Sequence, residues 1–298
     1  MKRNTAIRVA ERFLIVLIGV VIALYCISLL IPLIWLAYSS LKDEISFALS
    51  AFKFPERLEW ANYAKVFQYL QVPVVTSRGT VMYGFESLAL FSLARSVCIP
   101  LLVTFVQACC AYVLAKYKFF GNHFIYALGI FVMIMPIVGN LPSAMIIYKA
   151  LGVYDNLLMN ILTAPSNIFG MNFLILYAAF KGTPWEYAEA AFIDGAGHFR
   201  IMLSIMLPMA LPMCAVLFIL SFLGILNDYT ASLIWLPSYP NLAFGLYVFQ
   251  NGATAGSEGA STPVVLAGFM VVMIPTVVLY LASQKLILSK FNVGGLKG

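Results

Sequence analysis

Charged side chains are scarce in this sequence: Asp, Glu, Lys and Arg make up 10% of its residues, against roughly 25% in a typical soluble domain. Apolar residues make up 62%, and the mean hydropathy is +0.94. Such a chain has too few polar groups to cover a water-exposed surface, which excludes an ordinary soluble protein. The composition predicts an integral membrane protein.

Residues that would support chemistry are also few. The five cysteines fall in apolar runs without CxxC spacing, and the two histidines, His123 and His198, are isolated. Neither a disulfide framework nor a metal site is therefore expected. No GxxxxGK[ST] segment is present to hold a nucleotide phosphate. We expect no enzymatic activity and no cofactor in this chain.

Acidic residues are absent from the middle of the apolar runs. All twelve lie in terminal segments, loops or the ends of those runs. A carrier driven by protons or sodium normally places carboxylates near the centre of the bilayer. The pattern disfavours such coupling, although an ATPase-independent secondary carrier or channel remains the alternative function.

Long uncharged runs define the predicted membrane spans, because about 20 apolar residues cross a bilayer as a helix. The run at 229–257 is interrupted by Pro237, Pro240 and Asn241, so we interpret it as an outer loop. Six spans remain, and the predicted fold is an all-α polytopic membrane protein. The six runs are 13–41, 96–115, 119–148, 156–180, 201–227 and 259–284.

Basic residues predict the orientation. With both termini in the cytoplasm, cytoplasmic segments hold eleven Lys and Arg residues and external segments hold six. Five of those six lie in one long external loop, which counts little in the positive-inside rule. We therefore expect a multi-pass membrane protein with both termini in the cytoplasm.

The segment 181–208 differs from the membrane spans around it. Thr183, Pro184 and Glu186 form a helix start signal, with threonine as the N-cap and the glutamate reaching back to it. Gly195 marks the helix end, because a glycine there adopts positive φ without steric cost. The sequence predicts a short cytoplasmic helix of about ten residues, with small side chains at Ala188 and Ala190 that let another surface approach closely.

This segment resembles the EAA loop of ATP-binding-cassette importer permeases. The match comprises Glu189-Ala190-Ala191, then Gly195 after three intervening residues, and Ile205-Met206-Leu207-Pro208 after nine more. The resemblance implies a coupling helix that docks on a separate ATPase subunit, which would bind the ATP and Mg. The residues expected to couple to the ATPase are Glu186, Glu189, Ala190, Ala191, Phe192, Asp194 and Gly195.

Two further stretches resemble the carbohydrate, or maltose-type, branch of these permeases: 111–121, AYVLAKYKFFG, and 222–228, FLGILND. The resemblance implies a sugar or oligosaccharide as the solute, alternating access as the mechanism, and a second permease and an extracytoplasmic solute-binding protein as partners. The tail 291–298 resembles family tails that reach the ATPase. Phe192 departs from the family, which commonly has a basic residue there, and suggests an apolar contact.

Helix-breaking and amide residues in the third and fourth spans indicate a cavity lining, although small and amide side chains equally serve helix packing. The expected solute-path residues are Asn140, Ser166, Asn167, Asn172 and Asn227. Arg95 lies about one turn inside the second span. We interpret it as extending its charge outward to water, with a position facing the solute path as the alternative.

These inferences divide the chain into five parts. They are a cytoplasmic N-terminus at 1–12, a first membrane helix at 13–41, an extracytoplasmic segment at 42–85, a five-helix permease core at 86–290 that includes the loop 181–208, and a cytoplasmic tail at 291–298.

Overall fold

The computed structural model describes residues 2–76, 79–135, 139–254 and 261–291, and helices form most of it. The all-α fold class is therefore confirmed. The helices are α1 Lys2–Ser39, α2 Glu44–Leu49, α3 Ala61–Tyr69, α4 Phe85–Lys116, α5 Asn122–Ile134, α6 Leu141–Ala150, α7 Leu157–Thr163, α8 Met171–Gly182, α9 Glu186–Ile193, α10 His198–Ile201, α11 Leu207–Leu226, α12 Thr230–Ile234, α13 Leu242–Thr254 and α14 Thr262–Phe291.

A small β-hairpin, which the sequence patterns did not predict, precedes α4. Strand β1 (Val72–Thr76) pairs antiparallel with β2 (Gly79–Tyr83), with Val74 opposite Val81. The valines of β1 alternate in burial, so that Val72 and Val74 are buried and Val75 is exposed. Branched side chains with this alternation favour a strand over a helix.

Four helical segments of the described residues are long and apolar enough to cross a membrane: Arg12–Ser39, Phe85–Lys116, His198–Leu226 and Thr262–Lys285. A fifth span arises if Leu157–Ser166 and Met171–Gly182, which meet at a bend of 54°, cross together. The third predicted span, 119–148, is occupied by α5 and α6, and 136–138 lie outside the described residues. The count of six is therefore not confirmed.

The apolar run at 229–257 is not one helix. Helices α12 and α13 are separated by a non-helical turn from Trp235 to Asn241. Pro237 and Pro240 lie in this turn, where the missing N–H of proline disrupts no helix. The run is therefore not a continuous span, and its interpretation as an outer loop stays a prediction.

The chain forms two compact units, and the first comprises residues 1–70 and 249–273. In it, Lys42 is almost completely buried, and its Nζ donates to the carbonyl oxygens of Ser50 and Ala51, both at 2.9 Å. Asn62 Nδ2 donates to the carbonyl oxygens of Ser40 and Lys42 at 2.9 and 2.8 Å. These bonds hold the loop after α1 in place. The side chains of α1 from Phe13 to Ile34 are mostly exposed within the chain, as a lipid-facing helix requires.

The second unit comprises residues 71–248 and 274–298. Its core lies where α4 packs against α8 and α11. Tyr112 of α4 and Phe180 of α8 are buried there, with ring centroids 5.6 Å apart in an edge-on arrangement. Small α4 residues, Ala108 and Ala111, are also buried in this cluster. They allow the close helix approach typical of membrane bundles.

Candidate functional site: the short helix α9 and its supports

Helix α9 covers eight residues, and its first turn carries Glu186 and Glu189. Negative side chains at a helix N-terminus interact favourably with the helix dipole. At the other end, Gly195 has φ +78°. The N–H of Gly195 donates to the carbonyl oxygen of Phe192 at 3.0 Å. The N–H of Ala196 donates to the carbonyl oxygen of Ala191 at 2.9 Å. This pair of bonds is a Schellman motif, so the predicted glycine terminator is confirmed.

The predicted start of the helix is wrong. No side chain caps the N-terminus of α9, whose N-cap residue is Trp185. Thr183 instead ends α8, and its Oγ1 donates to the carbonyl oxygen of Ala179 at 3.0 Å. Because α8 continues to Gly182, this hydroxyl lies beside the preceding turn, and no N–H at the start of α9 bonds to it.

The alanines of α9 divide between two faces. Ala188 and Ala191 are buried in the core of the second unit, whereas Ala190 is exposed. Ile193 is 88% exposed and Tyr187 is 52% exposed, which is unusual for large apolar side chains in an otherwise anchored helix. The outward face consists of Glu186, Tyr187, Glu189, Ala190, Ile193 and Asp194.

Aromatic rings attach α9 to neighbouring elements. The ring of Tyr117, which follows α4, lies 5.7 Å from Trp185 and 5.5 Å from His198. His198 in turn lies 4.7 Å from Phe192, which is therefore half-buried against the chain itself. Lys116 Nζ also donates to the carbonyl oxygen of Thr183, just before α9. The short helix is thus held at both ends.

Among the predicted path residues, Ser166, Asn167 and Asn172 lie at the break between α7 and α8. Ser166 and Asn167 are exposed, and Asn172 Nδ2 donates to Ser221 Oγ of α11 at 3.3 Å. Asn140 precedes α6 without capping it. Asn227 Nδ2 donates to the carbonyl oxygen of Leu223, at the C-terminal end of α11, at 2.8 Å. Asn140 and Asn227 therefore lie on elements separate from the break.

The sequence patterns missed Gln107, which is 5% exposed in the middle of α4. Its Nε2 donates to the carbonyl oxygen of Ile168 in the α7–α8 break, at 3.1 Å. A broken membrane helix frees backbone carbonyls, and a buried amide can satisfy one of them. As the one amide in the uncharged run 96–115, Gln107 was a visible signal.

Arg95 does not extend to water, so that interpretation is wrong. Its side chain is 4% exposed, and Nε and Nη1 have no hydrogen-bond partner among the described residues. The turn between α12 and α13 lies against this part of α4, because Leu242 N–H donates to Ser92 Oγ at 2.7 Å. Within the described ranges, no carboxylate lies within ion-pair distance of the guanidinium. Asp228, whose carbonyl oxygen accepts from Asn241 Nδ2 at 2.7 Å, places a negative charge beyond that distance.

Within the part of the chain that the structure describes, no group of three or more His, Cys, Asp or Glu side chains could hold a metal ion. The predicted contact of the tail 291–298 lies outside the described residues, apart from Phe291 at the end of α14.

The apolar spans and the helix break together define a multi-pass helical membrane protein. Residues 107–291 match the family of the binding-protein-dependent transport system inner membrane component. This match covers more than half of the chain, which therefore belongs to that family.

Known relatives extend over nearly the whole chain. It is 28% identical to the galactooligosaccharides transport system permease protein GanQ of Bacillus subtilis, covering 100% of this chain and 99% of that protein. It is 26% identical to the diacetylchitobiose uptake system permease protein NgcG of Streptomyces coelicolor, covering 91% and 85%.

A crystal structure of a bacterial transporter that imports the acidic polysaccharide alginate contains a similar chain. Its TM-score is 0.73 at 19% identity, and the match covers 93% of this chain and 97% of that one. This likeness supports the permease fold.

Proposed function

We propose that this chain is the membrane-spanning permease subunit of an ATP-driven importer for a sugar or oligosaccharide. The relatives are permeases of oligosaccharide transport systems, and two of them are named for galactooligosaccharides and diacetylchitobiose. Amide and hydroxyl groups at the helix break suit solutes that are recognised through hydroxyl groups. An ATPase-independent carrier is not supported.

The observation that carries the proposal is the outward face of α9. It combines three carboxylates with two large apolar side chains, Tyr187 and Ile193. A partner complementary to it offers basic side chains around an apolar pocket. The partner that we assign is a separate ATPase subunit, which binds ATP and Mg. Glu186, Glu189, Ala190, Asp194 and Ile193 meet it directly, while Ala191, Phe192 and Gly195 hold the helix in shape.

Transport follows by alternating access in this proposal. Closure of two ATPase subunits displaces α9 of this chain and the corresponding helix of a second permease. The bundle of α4, α8 and α11 moves with α9, because their packed side chains move as a rigid group. The solute path passes Ser166, Asn167 and Asn172, with Asn140 and Asn227 further along it.

The same proposal includes a solute-binding protein, a cell membrane and an orientation for the chain. A solute-binding protein delivers the sugar from outside a bacterial or archaeal cell membrane, and both termini lie in the cytoplasm. The excess of Lys and Arg in the segments assigned to the cytoplasm supports this orientation. The division into an N-terminus, first helix, external segment, core and tail stays a prediction.

The test is uptake by proteoliposomes that contain the purified assembly and enclose Mg and ATP. Radiolabelled galactooligosaccharide and diacetylchitobiose are supplied outside with the binding protein. We expect uptake of at least one sugar that stops when a non-hydrolysable ATP analogue replaces ATP and that a proton ionophore leaves unchanged. Uptake driven by an ion gradient, in an assembly without an ATPase, would overturn the proposal.

A further inference from the structure

Tyr117 is fixed to the end of α4 by its own backbone. Its N–H donates to the carbonyl oxygen of Val113 at 3.0 Å. Asn122 Nδ2 then donates to the carbonyl oxygens of Tyr117 and Leu114, at 2.7 and 3.1 Å, and so satisfies groups that a helix end leaves open. The side chain of Tyr117 therefore moves with α4.

The Tyr117 ring contacts both elements that flank α9. Its interplanar angle with Trp185, the N-cap residue of α9, is 84°, and with His198, which begins α10, it is 64°. Both are edge-on arrangements, which aromatic pairs favour. Since His198 also contacts Phe192 near the C-terminus of α9, one cluster of four rings joins the two ends of the helix to α4.

The Tyr117 hydroxyl adds a polar connection to the same cluster. It lies 3.0 Å from Nδ1 of His198 and 3.2 Å from the hydroxyl of Tyr112. Tyr112 is buried in the core of the second unit, with 1% exposure. Hydroxyls both donate and accept, so this chain of bonds can form whichever tautomer the imidazole adopts. The core is thereby linked to the start of the span His198–Leu226.

We propose that Tyr117 is a positioning residue, which transmits displacement of α9 to α4 and to the span that begins at His198. The proposal rests on the proposed function, because it assumes that an ATPase displaces α9. Without the ring and hydroxyl, the contacts that remain are the bond from Lys116 to Thr183, made by a long flexible side chain, and the packing of the small Ala188 and Ala191 side chains in the core. Displacement of α9 then reaches α4 less efficiently.

The experiment measures how strongly the solute-binding protein stimulates ATP hydrolysis by the reconstituted assembly. Stimulation crosses the whole permease from the binding protein to the ATPase, so it depends on the contacts that join α9 to α4 and α10. This measurement does not require the transported sugar to be identified. The variants are Tyr117→Leu, which removes ring and hydroxyl, and Tyr117→Phe, which removes the hydroxyl alone. The matched control is Phe120→Leu, because the Phe120 side chain is fully exposed in the same loop.

We expect Tyr117→Leu to retain the ATPase and its basal hydrolysis but to lose about tenfold in stimulation, with a smaller loss for Tyr117→Phe. Phe120→Leu should behave as the wild type. Wild-type stimulation in Tyr117→Leu would overturn the proposal. If Tyr117→Leu fails to assemble, Tyr117→Phe decides: reduced stimulation supports the role, and unchanged stimulation contradicts it. Failure of the wild-type chain to bind an ATPase would refute the proposed function itself, which is a distinct result.

Discussion

Gln107 Nε2 lies 3.1 Å from the carbonyl oxygen of Ile168, so the middle of α4 is hydrogen-bonded to the break between α7 and α8. The two residues are 61 positions apart in sequence. Gly170, which is extended before α8 begins, completes the break. The bond explains how an interrupted helix can lie within an apolar bundle, because the carbonyl of Ile168 is not left without a donor.

Replacing Gln107 by leucine should lower the stability of the protein. The substitution leaves the carbonyl oxygen of Ile168 unsatisfied, at a cost of about 1–3 kcal/mol. Thermal denaturation of the detergent-solubilised protein measures the effect. Asn167→Leu is the matched control, since Asn167 is an exposed amide at the same break. Equal unfolding temperatures for the two variants would show that the Gln107 bond does not support the break.

Gly195→Val should uncouple transport from ATP hydrolysis while leaving the protein in the membrane. Valine at φ +78° is strained by about 1–2 kcal/mol or more, which distorts the end of α9. Gly197→Val is the control, because it is the same substitution at a glycine whose φ of −76° a valine can adopt. An added Cβ meets nothing within 4 Å at either position. ATP-driven uptake equal in both variants would contradict the requirement for positive φ.

The packing around Gly129 of α5 leaves no room for a Cβ. A Cβ there would lie 2.2 Å from Cδ1 of Phe169. Gly129→Ala therefore displaces the ring and should cost about 1–3 kcal/mol, as other overpacked sites do. Gly224→Ala in α11 provides the comparison, since its Cβ meets nothing within 4 Å. A Gly129→Ala protein as stable as the Gly224→Ala protein would argue against this packing.

The charges of Arg95 and Asp228 should be energetically coupled. Asp228→Asn keeps an oxygen that can accept from Thr230 N–H and removes a negative charge that acts on the buried guanidinium from beyond ion-pair distance, at a cost of about 1 kcal/mol or less. In an Arg95→Met background, the same change should cost less, by about 0.5–1 kcal/mol. Chemical denaturation of the four proteins gives the coupling energy. An identical cost in both backgrounds would mean that Asp228 does not stabilise Arg95.

The features that the sequence predicted correctly depend on local physics. The long apolar runs predicted α1, α4, α11 and α14, because a helix must satisfy its own backbone in lipid. Gly195 predicted the end of α9, because positive φ selects glycine over residues with a Cβ.

The features that the sequence did not predict depend mostly on tertiary contacts between elements distant in the chain. Whether Thr183 caps α9 or ends α8 depends on how far α8 continues. Arg95 was assigned to water because nothing local reveals that the α12–α13 turn lies against α4. Likewise, the role of Tyr117 arises from ring contacts to Trp185 and His198, which is 81 positions away in sequence.

The central proposal is that the outward face of α9 contacts an ATPase subunit. A photocrosslinking amino acid at position 193 tests this contact most directly. Ile193 is 88% exposed, and Leu151, at 66% exposure, provides a control position that we assign to the opposite side of the membrane. In the assembled transporter, we expect a crosslink from position 193 to the ATPase subunit and none from position 151. An assembly that hydrolyses ATP and imports sugar, yet gives no crosslink between position 193 and the ATPase, would contradict it.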